Sequence, residues 1–212
     1  FKSKTIKLKY IKCSKHFTDA TWLQKELLEI GIKSEIIHFK HVKLNKETNR
    51  FISSNILTYM AEGKETFYGL NTIKEFAEKH SSTKINIVGS SGKLINNLPE
   101  NIIFHGWVDE KRMEELLNQN AIFVRLTEHD GNSLSVIEAL ANGNEVIWSQ
   151  PNEMTYLVSN LDQFDSKVLQ LQKEVSERNY AANARNINWA SENAKKDKVL
   201  KHLIEKIEQV AK

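Results

Sequence analysis

Apolar positions along the chain follow two alternating periods. Runs that alternate or stay apolar lie near 4–13, 34–39, 54–60, 84–89, 101–105, 121–126 and 145–149, and this spacing predicts strands. Between them, helical spacing occupies 19–30, 66–79, 109–119 and 133–142, the first closed by Gly31 and the last by Gly143. Strands alternating with helices of this length make βαβ units. The expected fold class is therefore α/β, a Rossmann-like parallel sheet flanked by helices. Beyond residue 150 the pattern turns helical, over 164–176, 177–193 and 196–211. In the last of these, Val199, Leu203, Ile207 and Val210 share one face, with Glu205 and Glu208 among the polar positions. A basic amphipathic helix allows peripheral membrane contact, but the glutamates favour packing on protein. The polar stretch KHVKLNKETNRFI (40–52) has no period and reads as a linker. It divides a short βαβ piece, 1–43, from a larger unit, 44–193, followed by a tail helix, 194–212.

Composition narrows the function classes. With 212 residues, 40% of them hydrophobic and 27% charged, the chain can bury one sizeable core. It contains no run of about 18 apolar residues, the length a spanning helix needs. The single cysteine, Cys13, excludes an internal disulfide and fits a reducing, cytoplasmic setting. The first residue is Phe rather than Met, which suggests a piece of a longer protein. Net charge is +3, unevenly spread: residues 1–50 hold 12 basic and 5 acidic side chains, the remainder 18 and 22. A basic front can mark a nucleic-acid surface. In TIKLKYIKCS, however, the lysines alternate with apolar residues as on the wet face of a half-buried strand, so nucleic acid is not an expected partner.

In a parallel sheet the ligand-binding loops follow the strands. Here they read AEGK (61–64), GSSGK (89–93), HGWV (105–108) and TEHDGNS (127–133), rich in glycine, hydroxyls, histidine and charge. The last runs straight into a helix, whose unpaired first-turn amides make a ready phosphate site. Asp130 and Glu138 bracket that turn, and carboxylates beside it suit the hydroxyls of a sugar or ribose. The same residues also admit a capping reading, in which Ser135 and Glu138 form a capping box and Ser133 or Asp130 only starts the helix. GSSGK lacks the spacing of a P-loop, and no His or Asp cluster accompanies His129 and Asp130 at metal-ligand spacing.

The segment DGNSLSVIEALANG (130–143) resembles the acidic motif of retaining family 4 glycosyltransferases, with Asp130, Gly131, Leu134 and Glu138 in register. IVGSSG, LPENIIFHGWV, DEKRMEELL and AIFVRLTE precede it in the family's order. The likeness covers roughly 54–160. It implies a GT-B donor domain, in which Asp130 sits near the donor sugar and Glu138 binds the ribose. Gly131, Asn132, Ser133 and Leu134 would offer backbone amides to the sugar and diphosphate. Gly89, Ser90, His105, Gly106, Trp107 and Val108 would flank the base; His129, beside Asp130, is placed either to touch the sugar or only to solvate the loop. The donor would be a UDP-, GDP- or ADP-sugar, bound without a metal cofactor. The full protein would transfer a hexose to a glycan, lipid or small acceptor with retention, and residues 1–43 would be the remnant of the acceptor domain. The tail helix would pack back on that remnant.

The sequence departs from this family in three respects: the first acid is Asp130 instead of Glu, Asn132 and Ser133 stand in place of the aromatic and Gly, and a basic pair is missing. An Arg and a Lys five residues apart usually follow the first strand of the domain and neutralise the diphosphate. Here that region reads TYMAEGKETFYGL, with Tyr68 at the Lys position and no Arg, which leaves Lys64 as the nearest candidate cation. A chain without that pair also fits a non-catalytic nucleotide-sugar binder or scaffold.

Overall fold

The computed structural model describes residues 15–44 and 50–211. The expected strand at 4–13, with Cys13, lies outside the described residues. The front of the chain is a small parallel βαβ unit: β1 (Phe17–Thr18), α1 (Thr21–Glu29) and β2 (Glu35–Ile36). The larger unit is a six-stranded sheet of β3 (Ser53–Tyr59), β4 (Ile85–Val88), β5 (Ile102–Phe104), β6 (Asn120–Arg125), β7 (Glu145–Trp148) and β8 (Tyr156–Leu157). All its strands are parallel, in the order β5-β4-β3-β6-β7-β8. Around it lie α2 (Leu70–Lys79), α3 (Glu110–Gln119), α4 (Leu134–Ala141), α5 (Leu161–Glu177), α6 (Ala184–Asn193) and α7 (Lys196–Ala211). Among the described residues no helix is long and apolar enough to cross a membrane.

Both faces of the sheet are covered, which explains why its central strands are nearly unbroken apolar runs. Side chains alternate across the pleat. Ile56, Ile122 and Ile147 pack with Ile73, Phe76, Phe164 and Leu171 from α2 and α5. Their neighbours Leu57, Phe123 and Val146 pack on the opposite face with Leu116, Val136 and Leu140 from α3 and α4. Each such side chain contributes about 1.5–3 kcal/mol by leaving water.

Two expected helices are broken in the structure. Residues 66–79 divide into a 3-10 turn, Glu65–Tyr68, and α2, separated by Gly69 at φ 81°. A Cβ at Gly69 would stand 2.5 Å from that of Leu126, so the close approach of the loop after β6 requires glycine and interrupts the helix. The expected helix 177–193 starts instead at Ala184. Asn179 and Tyr180 both take positive φ, Ala181 bridges to Arg50, and the Asn183 side chain accepts from the amides of Arg185 and Asn186 as a new N-cap. Strands β1 and β8 were not expected; each is only two residues long. The tail helix reaches the front unit through Lys206, 3.6 Å from Glu35, while Ile204 and Ile207 remain exposed.

One buried carboxylate ties the end of α5 and the start of α6 to the sheet. Glu145, 1% exposed, accepts from Arg178 at 2.6 Å, Asn183 at 3.0 Å and the Tyr156 hydroxyl at 3.2 Å. Burial, then the Glu145 charge, pushes the Tyr156 hydroxyl up to about 12, so it stays a donor. Arg178→Ala leaves that carboxylate without its counter-ion and is expected to cost about 3–5 kcal/mol in urea unfolding; a loss within 0.5 kcal/mol or so would mean water replaces the guanidinium.

Candidate functional site

The connections after β3 and β6 leave in opposite directions along the sheet, so their carboxyl ends border a crevice. This crevice has a volume of about 470 Å³. Its walls come from the ends of β3 (Tyr59), β4 (Val88, Gly89) and β6 (Arg125), the turn into α3 (Trp107 to Glu110) and the start of α4 (Ser133 to Ser135, Glu138). Asp130 and, from the front segment, Lys40 complete it.

The start of α4 is built to remain uncapped. Ser133 is the N-cap in extended conformation, but its hydroxyl lies 3.1 Å from that of Ser135 and makes no capping bond. The amides of Leu134, Ser135 and Val136 therefore keep the partial positive charge of a helix N-terminus at the crevice wall. Glu138 lies further along the same helix, and its carboxylate has no hydrogen-bond or ion-pair partner among the described residues. This geometry decides against a capping box, because Ser135 is inside the helix and Glu138 does not reach back. Burial, then the charge of Glu110, pushes the Glu138 carboxyl above its ordinary value of 4.5.

Beside this helix end stands an ion pair that neither motif nor period foretold. Arg125, the last residue of β6 and 9% exposed, donates through Nε to Oδ2 of Asp130. Its guanidinium lies 5.3 Å from the ring of Tyr68 and 5.9 Å from that of Tyr59. Asp130 also accepts the Gly131 amide at 3.0 Å, and its carbonyl accepts the Trp22 indole at 2.7 Å. The detectable signal was a charged residue ending an otherwise apolar strand, AIFVR. Lys40 gave no comparable signal, being one lysine in a polar linker.

Residues 56–174 match the family model described as "Glycosyl transferases group 1". The chain belongs to that family. No curated protein matches it in sequence. Solved structures show the same GT-B fold. TarM of S. aureus, in complex with fondaparinux, alpha-GlcNAc-glycerol and UDP, superposes with a TM-score of 0.69 at 18% identity, over 93% of this chain and 45% of that one. HepE of Anabaena, in complex with UDP-glucose, gives 0.72 at 10% identity, over 93% and 64%. The C-terminal domain of LpcC, a group 1 family protein of Francisella tularensis, gives 0.53 at 16% identity, over 74% and 96%. The chain thus spans about half the length of TarM and nearly all of an isolated C-terminal domain.

Other residues singled out in this group 1 glycosyltransferase sequence take varied places. Gly89, at φ 91°, lines the crevice, where a Cβ would stand 2.6 Å from the Met60 carbonyl. Ser90 is fully buried, and its hydroxyl donates to Glu65 at 2.6 Å, bracing the loop from behind. Gly106 exchanges backbone hydrogen bonds with Gly89 and Ser90. His105 faces Asn86 at 2.9 Å and is absent from the crevice wall; burial, then Arg112, lowers its pKa, so it stays neutral more readily. Trp107 is 84% exposed at the rim, beside Val108. Leu134 is exposed on the wall. His129 pairs with Glu26 of α1 at 3.0 Å, Asn132 gives its carbonyl to Lys40, and Gly131 lies against Asp19. Lys64 is an exposed loop residue outside the crevice lining. Among the described residues no group of three His, Cys, Asp or Glu is placed to hold a metal.

A carboxyl whose folded pKa is raised costs stability once pH passes its unfolded value, and the cost persists at higher pH. Glu138→Gln is therefore expected to raise the urea midpoint near pH 7 and to leave it unchanged below about pH 4, where both states are protonated. An equal gain at both pH values would assign the effect to packing.

Proposed function

We propose that this chain is the nucleotide-sugar-binding part of a glycosyltransferase that moves a hexose to a glycan, lipid or small acceptor with retention. The observation that carries this reading is the uncapped α4 N-terminus opening on a crevice that also receives the unpartnered Glu138 carboxylate. Such a helix end binds phosphate oxygens, and a free carboxylate binds paired hydroxyls. In this reading Glu138 accepts from the ribose, the α4 amides take the diphosphate, and Asp130, fixed by Arg125, faces the sugar. Trp107, Val108 and Gly89 flank the base. In transfer, the bond from sugar C1 to the phosphate oxygen breaks and its electron pair leaves with the nucleoside diphosphate. The acceptor oxygen joins C1 on the same face and passes its proton to the departing phosphate oxygen. Helix amides and side-chain cations meet the leaving charge, so no metal is called for.

UDP is the first donor base to try, because TarM and HepE were solved with UDP and UDP-glucose. A non-catalytic binder is the second reading. It is favoured by the pairing of Arg125 with Asp130 and by the missing Arg and Lys after β3.

Calorimetric titration with UDP, GDP, ADP and their sugar conjugates tests the site. One diphosphate is expected to bind saturably, and Glu138→Ala to weaken it about tenfold or more, the scale of a lost charged hydrogen bond. Heat equal to dilution for every ligand would sink the reading. Release of the diphosphate from its sugar conjugate in the presence of an acceptor separates enzyme from binder.

A further inference from the structure

The proposed donor site poses a problem of charge. A diphosphate carries two or more negative charges, Arg125 shares its single charge with Asp130 through Nε, and Lys64 stands outside the crevice. The other cation among the residues lining it is Lys40, which arrives from the segment after β2 and not from the sheet unit. Its ammonium donates to Oδ2 of Asp19 at 2.7 Å and to the carbonyl of Asn132. An ammonium has three N–H donors; the third makes no hydrogen bond among the described residues, and the charge lies 5.5 Å from the centre of the Phe39 ring. The carbonyl bond fixes its position: Asn132 immediately precedes the N-cap Ser133, so the charge is held beside the uncapped first turn of α4. The side chain keeps 27% of its surface exposed, enough to swing without unpacking a core.

We propose that Lys40 binds the donor diphosphate, replacing the basic pair that is missing after β3. The assignment rests on the donor-site reading above. Lys40 and the α4 amides approach the same phosphate oxygens from two sides, and Asp19 competes with those oxygens for the ammonium. The segment that leaves the front unit and the start of α4 thereby share one anion, so binding also holds the front unit against the sheet unit.

The test titrates UDP, GDP and ADP, each beside its monophosphate, into the intact chain and into Lys40→Met, Lys40→Arg and Asp19→Asn, with melting curves for each. For the diphosphate that binds, Lys40→Met is expected to lower affinity about tenfold while the monophosphate changes less, and Lys40→Arg to restore most of it. Asp19→Asn removes the competing carboxylate and is expected to keep or strengthen diphosphate binding. If the Asp19–Lys40 pair were only structural, Asp19→Asn and Lys40→Met would lose affinity alike, and that result overturns the proposal. So does an unchanged preference for diphosphate over monophosphate in Lys40→Met. Absence of binding by the parent chain to all three diphosphates overturns the donor-site reading itself.

Discussion

Everything in the crevice depends on the gap between β3 and β6. These strands pair in parallel, Ile56 beside Ile122 and Leu57 beside Phe123, yet the chain leaves them toward opposite edges of the sheet. No connection covers their carboxyl ends, so the loops that follow diverge and leave room for a ligand. The same gap fixes the start of α4 and the end of β6 side by side. Arg125 at the strand end and Ser135 at the helix start are 3.4 Å apart, so charge and helix end act on one point.

Carboxylates outnumber cations in that crevice before any ligand arrives, with Asp109, Glu110, Asp130 and Glu138 against Arg125 and Lys40. Asp130 answers Arg125 and Asp19 answers Lys40, while Glu138 and Glu110 repel each other. Pairing opposite charges in this way limits the desolvation cost of each. Glu138 is the exception. It stays half-buried without a counter-ion, a condition that opposes stability.

The architecture was legible where both faces of a strand are buried. Each expected strand between 34 and 149 is present within a few residues, because unbroken apolar runs such as AIFV admit little else once helices flank them. Helix boundaries at 69 and 183 were less legible. Gly69 breaks its helix for the sake of Leu126, which is remote in sequence, and Asn179 and Tyr180 take positive φ without glycine. The acidic loop was legible as a motif, but its partners were not. Ion pairs across tens of residues, Arg125 to Asp130 excepted, leave no local trace, so Lys40 and Asp19 escaped attention and Lys64 drew it.

The front unit does more than precede the linker. Trp22 holds the Asp130 carbonyl, Lys40 the Asn132 carbonyl, Glu26 pairs with His129, and Asp19 lies against Gly131, where a Cβ would stand 3.2 Å from its carboxylate. The acidic loop is therefore shaped from both sides, by β6 and α4 behind it and by α1 and the segment after β2 in front. A side chain at 131 would crowd the Asp19 carboxylate, while the backbone there is not in the left-handed region. A loop clamped in this way cannot move independently of the front unit. Any shift of that unit against the sheet displaces the Asp130 carbonyl and the Lys40 ammonium together, and so alters the crevice at its charged wall, while Gly89, Ser90 and Gly106 on the other side are joined by their own backbone bonds.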